Sequence, residues 1–277
     1  MPSVDLEYPK QPYSKVHRYD TRASYALETI HQIVNTCPIL HVSFTPPDSP
    51  FPTILPMIGQ MGSFARPSAD TGDVLELYLH GYVSSRIMNL SRKASADSPP
   101  SFGEEGLPIC VAASHVDGLV LSLTPNSHSY NYRSATLFGH ATIVTDLPEK
   151  LWAMELITNS VVRDRYQNTR VPPNGAEMQS TSVLRVKISA GSAKIRSGEP
   201  KDEKADLENG ELLERTWTGV IPVYHTLGDP IPASYNRVKG LPTYLEEYWT
   251  GYNRGAKDIA VEAAVPPVEV KRPKYDD

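Results

Sequence analysis

The residues best suited to chemistry in this sequence are Ser84, Ser85 and Arg86, which follow a strand-like apolar run that ends at Gly81. Apolar residues at helical spacing after that glycine predict a helix that begins near Ser84. A helix N-terminus offers free N–H groups and a partial positive charge, and two hydroxyls and a guanidinium add further donors. The stretch therefore predicts an anion site. In the alternative, the serines only cap the helix and Arg86 is a solvated surface residue.

His80 stands immediately before Gly81, at the end of a predicted strand over residues 74–80. The period of two places side chains on opposite faces: Leu75, Leu77 and Leu79 on one, and Val74, Glu76, Tyr78 and His80 on the other. An imidazole with an ordinary pKa of about 6.5 suits proton transfer near neutral pH. His80 is therefore a candidate catalytic residue. The alternative is a structural histidine bonded to a neighbouring loop.

The composition excludes several other classes of function. The chain has 277 residues, 40% of them hydrophobic and 21% charged, with a net charge of -5, which gives no indication of a nucleic-acid or anionic-membrane partner. Its two cysteines, Cys37 and Cys110, form no CxxC pattern, so we predict no metal site and no disulfide framework. No apolar leader or membrane-length segment is present, and we expect a cytoplasmic protein.

The elements that must position these residues are mostly short strands. Apolar spacing predicts a helix over 23–37 capped by Asp20 or Thr21, and a second helix after the capping pattern Asp146–Glu149. Period-two patterns and turn residues predict the following strands: 39–45, 53–58 with an edge or bulge at Pro56, 133–145, 182–189, 193–196 and 217–225.

The connections are read from turn residues. Asp117-Gly118 between two apolar runs predicts a tight hairpin, and Gly191 predicts a turn between two strands. Residues 91–106 and 126–132 are polar and are expected to be loops.

Hairpin signals without βαβ alternation favour a mainly β fold with flanking helices, of the α+β class, built as a mostly antiparallel barrel. The 25 prolines of the sequence concentrate near the termini and in two loops. We expect an extended N-terminal arm over 1–19, a barrel domain over 20–225, and a loosely packed, proline-rich extension over 226–277 with one helix near 244–249.

Five runs carry a resemblance to a known family: YLHGYVSSR, LPICVAASHVDGLVLS, HSYNYRSATLFGHATIV, LRVKISAGSAKIRSGEP and WTGVIP. In these runs and in their order, residues 18–225 resemble the flavin-binding split-barrel proteins related to pyridoxamine 5′-phosphate oxidase. Within that group the sequence is similar to the nitroimidazole-resistance proteins. The resemblance implies a six-stranded antiparallel split β-barrel, a homodimer, and FMN bound at the dimer interface.

The resemblance also implies roles for individual residues. Ser85 and Arg86 match the serine and arginine that hold the FMN phosphate, and His80 and Gly81 match positions beside the ribityl chain and ring. The remaining matches lie on two other strands: Ile54, Leu55 and Pro56 at the isoalloxazine, and Arg133 and Ser134 reaching the flavin from the partner subunit.

Two departures from the oxidase branch limit the reaction. The lysine expected directly after the phosphate arginine is Ile87 here, which removes one phosphate contact. The arginine-and-histidine substrate motif expected after the last tryptophan is absent, because Trp217 is followed by TGVIPVYHT. Oxidation of vitamin B6 phosphates is therefore not expected.

Three functions remain open. The first is an FMN-dependent oxidoreductase that reduces a small conjugated or nitro-aromatic acceptor, with NADH or NADPH as a transient electron donor. The second is a haem-binding protein of the same fold with His80 or His128 as the iron ligand. The third is a flavin-binding protein without turnover.

Overall fold

The computed structural model describes residues 5–97 and 105–265. Its strands and α-helices follow in chain order: β1 (Ala23–Ser24), α1 (Leu27–Thr36), β2 (Leu40–Phe44), β3 (Thr53–Met57), β4 (Gly59–Gly62), β5 (Glu76–Tyr82), α2 (Arg86–Asp97), β6 (Leu107–Leu121), β7 (Ser129–Ile143), α3 (Leu147–Val161), α4 (Gly175–Ser180), β8 (Thr181–Arg196), α5 (Lys204–Leu207), α6 (Gly210–Arg215), β9 (Gly219–Pro222) and α7 (Thr243–Ala264). None of these helices is long and apolar enough to cross a membrane.

The described chain forms two compact units: residues 5–97, 105–115 and 134–194 in the first, and 116–133 and 195–265 in the second. In the first unit the strand order is β3-β2-β6-β7-β8-β5-β4, and β1 pairs with β8. The pairs β1–β8, β2–β3, β2–β6, β4–β5 and β5–β8 are antiparallel. The predicted α+β antiparallel fold is confirmed. The sheet is open along this path and has nine strands in the described residues, with β1 and β9 paired off the path, where the resemblance implied a six-stranded barrel.

Strand β5 is buried on both faces in the core of the first unit. Leu77, Tyr78 and Leu79 are fully buried, although the period of two places Tyr78 on the face opposite the leucines. Helix α3 covers the other face, where the rings of Tyr78 and Trp152 meet edge to face with centroids 5.1 Å apart. Strand β5 therefore lies between the sheet interior and α3, and its C-terminal end is held in place.

The N-terminal arm packs on the first unit. Tyr8 is buried, its N–H donates to the carbonyl of Tyr25, and its hydroxyl lies 2.6 Å from Nε2 of His31. Leu6 accepts a backbone hydrogen bond from Leu27 at the start of α1. These contacts fix Leu6 and Tyr8 to the chain around the start of α1, and residues 11–15 form a hydrogen-bonded turn.

Several predicted boundaries are wrong. Helix α1 begins at Leu27, because residues 23–24 pair with β8 as a strand. Helix α2 begins at Arg86, two residues after the predicted start, and continues to Asp97. The loop expected over 91–106 is therefore helical in its first part, and residues 98–104 lie outside the described residues.

Two predicted turns are instead continuous strand. Strand β6 runs through Asp117-Gly118, and β8 runs through Gly191. A Cβ at Gly191 would meet the Leu137 side chain at 2.9 Å, so this glycine permits close packing rather than a turn. The loop expected over 126–132 also ends early, because β7 starts at Ser129.

In the second unit, β9 pairs with Gly118–Leu121 of β6 and is shorter than predicted. Helix α7 has 22 residues, where only a short helix was expected. Its Trp249 and Asn253 side chains bond to the backbone of Leu227, and Asn131 Nδ2 donates to the Ala263 carbonyl at 2.9 Å. The expectation of a loosely packed extension is therefore wrong for α7. Residues 266–277 lie outside the described residues.

Candidate functional site

The predicted anion site lies in the connection between β5 and α2, and backbone hydrogen bonds define its conformation. The Ser85 N–H donates to the Tyr82 carbonyl at 2.9 Å, and the Asn89 N–H donates to the Ser85 carbonyl at 3.0 Å. Ser85 thus occupies the N-cap position of α2 without a side-chain capping bond among the described residues, and the first N–H groups of the helix are directed toward the connection. A Cβ at Gly81 would lie 3.1 Å from Met88 Cε. The strand end and the helix start are therefore packed tightly together.

The hydroxyl of Ser85 is buried and has no hydrogen-bond partner within residues 5–97 and 105–265. Burial of a hydroxyl without a partner costs free energy. A ligand oxyanion at the helix start would supply the missing acceptor. This orphaned atom fits the phosphate role that the resemblance implies for Ser85.

Arg86 already binds a carboxylate in the structure. Its Nη2 lies 2.5 Å from Oδ1 of Asp48, on the β2–β3 connection, and both side chains are exposed. The hydrogen bond from Arg86 holds the pKa of Asp48 below its ordinary value of 3.8. The guanidinium is therefore oriented to bind an oxyanion in this position.

A cleft of about 450 Å³ opens at this ion pair, lined by Pro47, Asp48, Ser84, Arg86, Asn89, Leu90 and Lys93. Lys93 follows Arg86 by seven residues, two helical turns later on the same face of α2. Ile87 is 1% exposed and belongs to the core. Lys93, which the sequence interpretation did not single out although its i+7 spacing was readable, places a second cation in this cleft.

His80 lines a different cleft. Its exposed side chain lies on the α3 side of β5, at a cleft of about 320 Å³ whose other lining residues are Met154, Ile157, Thr158, Val161, Arg165 and Thr181. Desolvation by these surroundings lowers the pKa of His80 below its ordinary value of 6.5. A neutral imidazole at this position can donate a proton from one nitrogen and accept one at the other.

The β3 residues lie at an edge of the sheet order. Ile54 and Pro56 are exposed, Ile54 to 61%, and Leu55 pairs with Val42. The edge position predicted from Pro56 is confirmed. The neighbouring Met57 Cε lies 3.7 Å from the position a Cβ would take on Gly81, so this end of β3 is close to the β5–α2 connection.

Arg133 and Ser134 are occupied within their own units. Arg133 makes a two-pronged ion pair with the buried Asp117, Nε to Oδ2 at 2.9 Å and Nη2 to Oδ1 at 2.8 Å. Ser134 Oγ donates to the Lys194 carbonyl at 3.1 Å. Both side chains therefore have structural partners.

His128, the second candidate iron ligand, and His115 also have partners. His128 Nδ1 accepts a hydrogen bond from the Ser122 N–H at 3.0 Å, and His115 Nε2 lies 3.3 Å from the Ile33 carbonyl. In the described part of the chain, no group of three or more His, Cys, Asp or Glu side chains could hold a metal ion.

Comparison with known proteins identifies a family for this chain. The family model described as pyridoxamine 5′-phosphate oxidase matches residues 27–195, which confirms the resemblance inferred from the sequence runs. No curated protein sequence matches the chain.

Solved structures with a similar fold include flavin proteins. The flavocytochrome Anf3 of Azotobacter vinelandii is 24% identical with a TM-score of 0.67, covering 86% of this chain and 97% of its own. A FAD- and haem-binding protein of Mycobacterium smegmatis is 23% identical with a TM-score of 0.64, covering 82% and 97%. A candidate 5-nitroimidazole antibiotic resistance protein of Bacteroides thetaiotaomicron is 18% identical with a TM-score of 0.45, covering 62% and 86%.

Proposed function

We propose that this chain, which belongs to the pyridoxamine 5′-phosphate oxidase family, binds a flavin and works as an oxidoreductase. The observation that carries the proposal is the anion site at the start of α2. There, the buried hydroxyl of Ser85, which has no partner in the described part of the chain, precedes Arg86, whose guanidinium already binds a carboxylate. A phosphate group bound at the helix start would offer an acceptor to the Ser85 hydroxyl and an oxyanion to Arg86.

FMN is the flavin we infer, with its phosphate at Ser84, Ser85 and Arg86. Lys93 adds a second positive charge to the cleft. A bound flavin supplies two-electron chemistry, and the chain supplies binding, orientation and electrostatics. Ile54, Leu55, Pro56 and Gly81 would lie along the ring and ribityl chain, as the resemblance implies.

The acceptor is inferred to be a small conjugated or nitro-aromatic compound. The His80 cleft, of about 320 Å³, combines apolar side chains with hydroxyls and a histidine, which suits a compact planar molecule. The neutral imidazole of His80 would hold or donate a proton at this cleft. Oxidation of vitamin B6 phosphates is not proposed, because the sequence after Trp217 lacks the arginine-and-histidine motif.

We further infer a homodimer, with NADH or NADPH as transient electron donor. Two large apolar side chains near the β5–α2 connection are exposed, Ile54 to 61% and Tyr82 to 65%, and exposed apolar surface of this kind is suited to a partner subunit. The free thiols Cys37 and Cys110 fit a reducing compartment such as the cytoplasm.

Haem is the second candidate cofactor. Two structures of similar fold are a flavocytochrome and a FAD- and haem-binding protein, and His80 lines a cleft together with Met154. His80 is the better candidate ligand in this chain. Nδ1 of His128 accepts a backbone hydrogen bond, so in the neutral ring the proton is on Nε2 and neither nitrogen is free to bind iron.

The test is the absorption spectrum of the purified chain before and after addition of FMN, FAD or haemin. We expect a flavin spectrum, quenching of flavin fluorescence on titration, and bleaching of the flavin by NADH or NADPH without oxygen. A protein that binds neither FMN nor FAD contradicts the proposal. A Soret band that shifts in His80→Ala, with no flavin bound, would favour the haem alternative.

A further inference from the structure

The carboxylate that binds Arg86 is presented by a well-defined turn between β2 and β3. Ser49 N–H donates to the Pro46 carbonyl at 3.3 Å, and Ser49 Oγ accepts from the Phe51 N–H at 3.2 Å. Pro46 is buried and Pro47 lines the cleft. Because prolines and these hydrogen bonds restrict the turn, Asp48 is directed at the cleft.

The positive charge of the cleft is smaller than the negative charge of a phosphate monoester. Its lining residues carry two positive charges, on Arg86 and Lys93, and one negative charge, on Asp48. The net charge of the lining is therefore +1 while Asp48 is present. A phosphate monoester at neutral pH carries between about 1.5 and 2 negative charges, so Asp48 opposes it both by repulsion and by occupying the same donors.

The ion pair of Asp48 and Arg86 differs from an ordinary surface ion pair in its location. Arg66 and Asp73 form a comparable exposed pair, 3.3 Å apart, away from the cleft. Asp48, by contrast, bonds to the arginine that follows the orphaned Ser85 hydroxyl. An exposed pair contributes little to folding, which leaves Asp48 free to be displaced without loss of the fold.

We propose that Asp48 is a built-in competitor for the flavin phosphate, which must displace its carboxylate from Arg86 to bind. The inference rests on the proposed flavin-binding function and makes Asp48 a determinant of specificity at that site. It weakens the binding of phosphorylated flavin, most strongly for a dianionic phosphate monoester. Riboflavin, which has no phosphate, is unaffected.

The experiment is a fluorescence titration of wild type, Asp48→Asn and Asp73→Asn with FMN and with riboflavin. We expect Asp48→Asn to bind FMN about fivefold more tightly than wild type, with riboflavin affinity unchanged. Asp73→Asn removes the carboxylate of an arginine pair outside the cleft, and we expect it to bind both flavins as wild type does. Circular dichroism and a second variant, Asp48→Ser, control for folding.

The outcomes separate this inference from the proposed function. Unchanged or weaker FMN binding by both Asp48 variants overturns the competitor role while flavin binding stands. An equal gain for FMN and riboflavin also overturns it, because the effect would not act through the phosphate. If wild type and variants bind neither flavin, the proposed function fails and the competitor role fails with it.

Discussion

The hydroxyl of Tyr78 donates a hydrogen bond of 2.9 Å to the buried carboxylate of Glu149, joining β5 to α3. Arg185 Nη1 donates to the same carboxylate at 3.1 Å, and its Nε lies 3.6 Å from Glu76. Burial, followed by the neighbouring carboxylates, raises the pKa of Tyr78, so the phenol keeps its proton. This network holds the strand end that carries His80 and Gly81.

We expect Tyr78→Phe to lower the free energy of unfolding by about 1–2 kcal/mol, because it removes a buried donor from Glu149 while leaving the ring packing intact. Urea denaturation measures the change. Tyr82→Phe, at an exposed position of the same strand, is the control and is expected to stay within about 0.5 kcal/mol of wild type. Equal stability of Tyr78→Phe and wild type would contradict a stabilising role for the bond.

His31 makes the stability of the fold sensitive to acid. Its ring is fully buried, with Nδ1 2.8 Å from the Thr71 carbonyl and Nε2 2.6 Å from the Tyr8 hydroxyl. Desolvation lowers the pKa of His31 below 6.5 in the folded chain, although the bond to Thr71 opposes this. As the pH falls below about 6.5, the unfolded chain therefore binds a proton at His31 that the folded chain does not bind. The free energy of unfolding decreases as a result.

The measurement is the free energy of unfolding at pH 7.5 and pH 5.5 for wild type and His31→Gln. We expect wild type to lose more stability between the two pH values than the variant, whatever the stability of the variant at pH 7.5. The same loss in both proteins would show that His31 is not the titrating group.

Arg86→Ala is expected to weaken FMN binding at least about tenfold with the fold retained, because a charged hydrogen bond to the phosphate is lost. Flavin fluorescence titration measures the affinity. Arg66→Ala removes the arginine of the matched exposed pair and should bind FMN as wild type does. Stoichiometric flavin in purified Arg86→Ala would refute the phosphate assignment.

Local patterns were sufficient where neighbours in sequence decide the structure. The capping pattern at Asp146 is present, with Glu149 N–H donating to Asp146 Oδ2 at 3.0 Å. The alternation before His80 correctly indicates a strand, but β5 begins at Glu76 and continues through Gly81 to Tyr82, so both predicted ends are wrong. The β5–α2 order, and with it the position of Ser85 at a helix start, was likewise readable from spacing.

Long-range partners explain what the sequence could not predict. Asp117-Gly118 has strong turn preference, but a buried Asp117 paired with Arg133, sixteen residues later, and the pairing of Gly118 with Pro222 keep the strand straight. Asp48 meets Arg86 across 38 residues, and no local pattern indicates which distant carboxylate an arginine will meet.

The pairing of the partly exposed Arg133 with the buried Asp117 predicts a large effect on stability. Arg133→Met leaves Asp117 buried without its partner, and we expect a loss of about 3–5 kcal/mol in the free energy of unfolding. The double variant Arg133→Met/Asp117→Leu removes both charges and is expected to recover most of that loss. Denaturation of both variants measures this, and a double variant no more stable than Arg133→Met would contradict a mainly electrostatic pair.

His80→Ala separates binding from turnover. Because His80 lines a different cleft from Arg86, we expect FMN affinity within about twofold of wild type, while reduction of a nitro-aromatic acceptor slows by about 100-fold, the range of general acid catalysis. The pH dependence of the rate is the deciding measurement: the limb that reports a histidine below pH 6.5 should disappear in His80→Ala and in His80→Gln. Unchanged turnover and an unchanged profile in both variants would make His80 a structural residue.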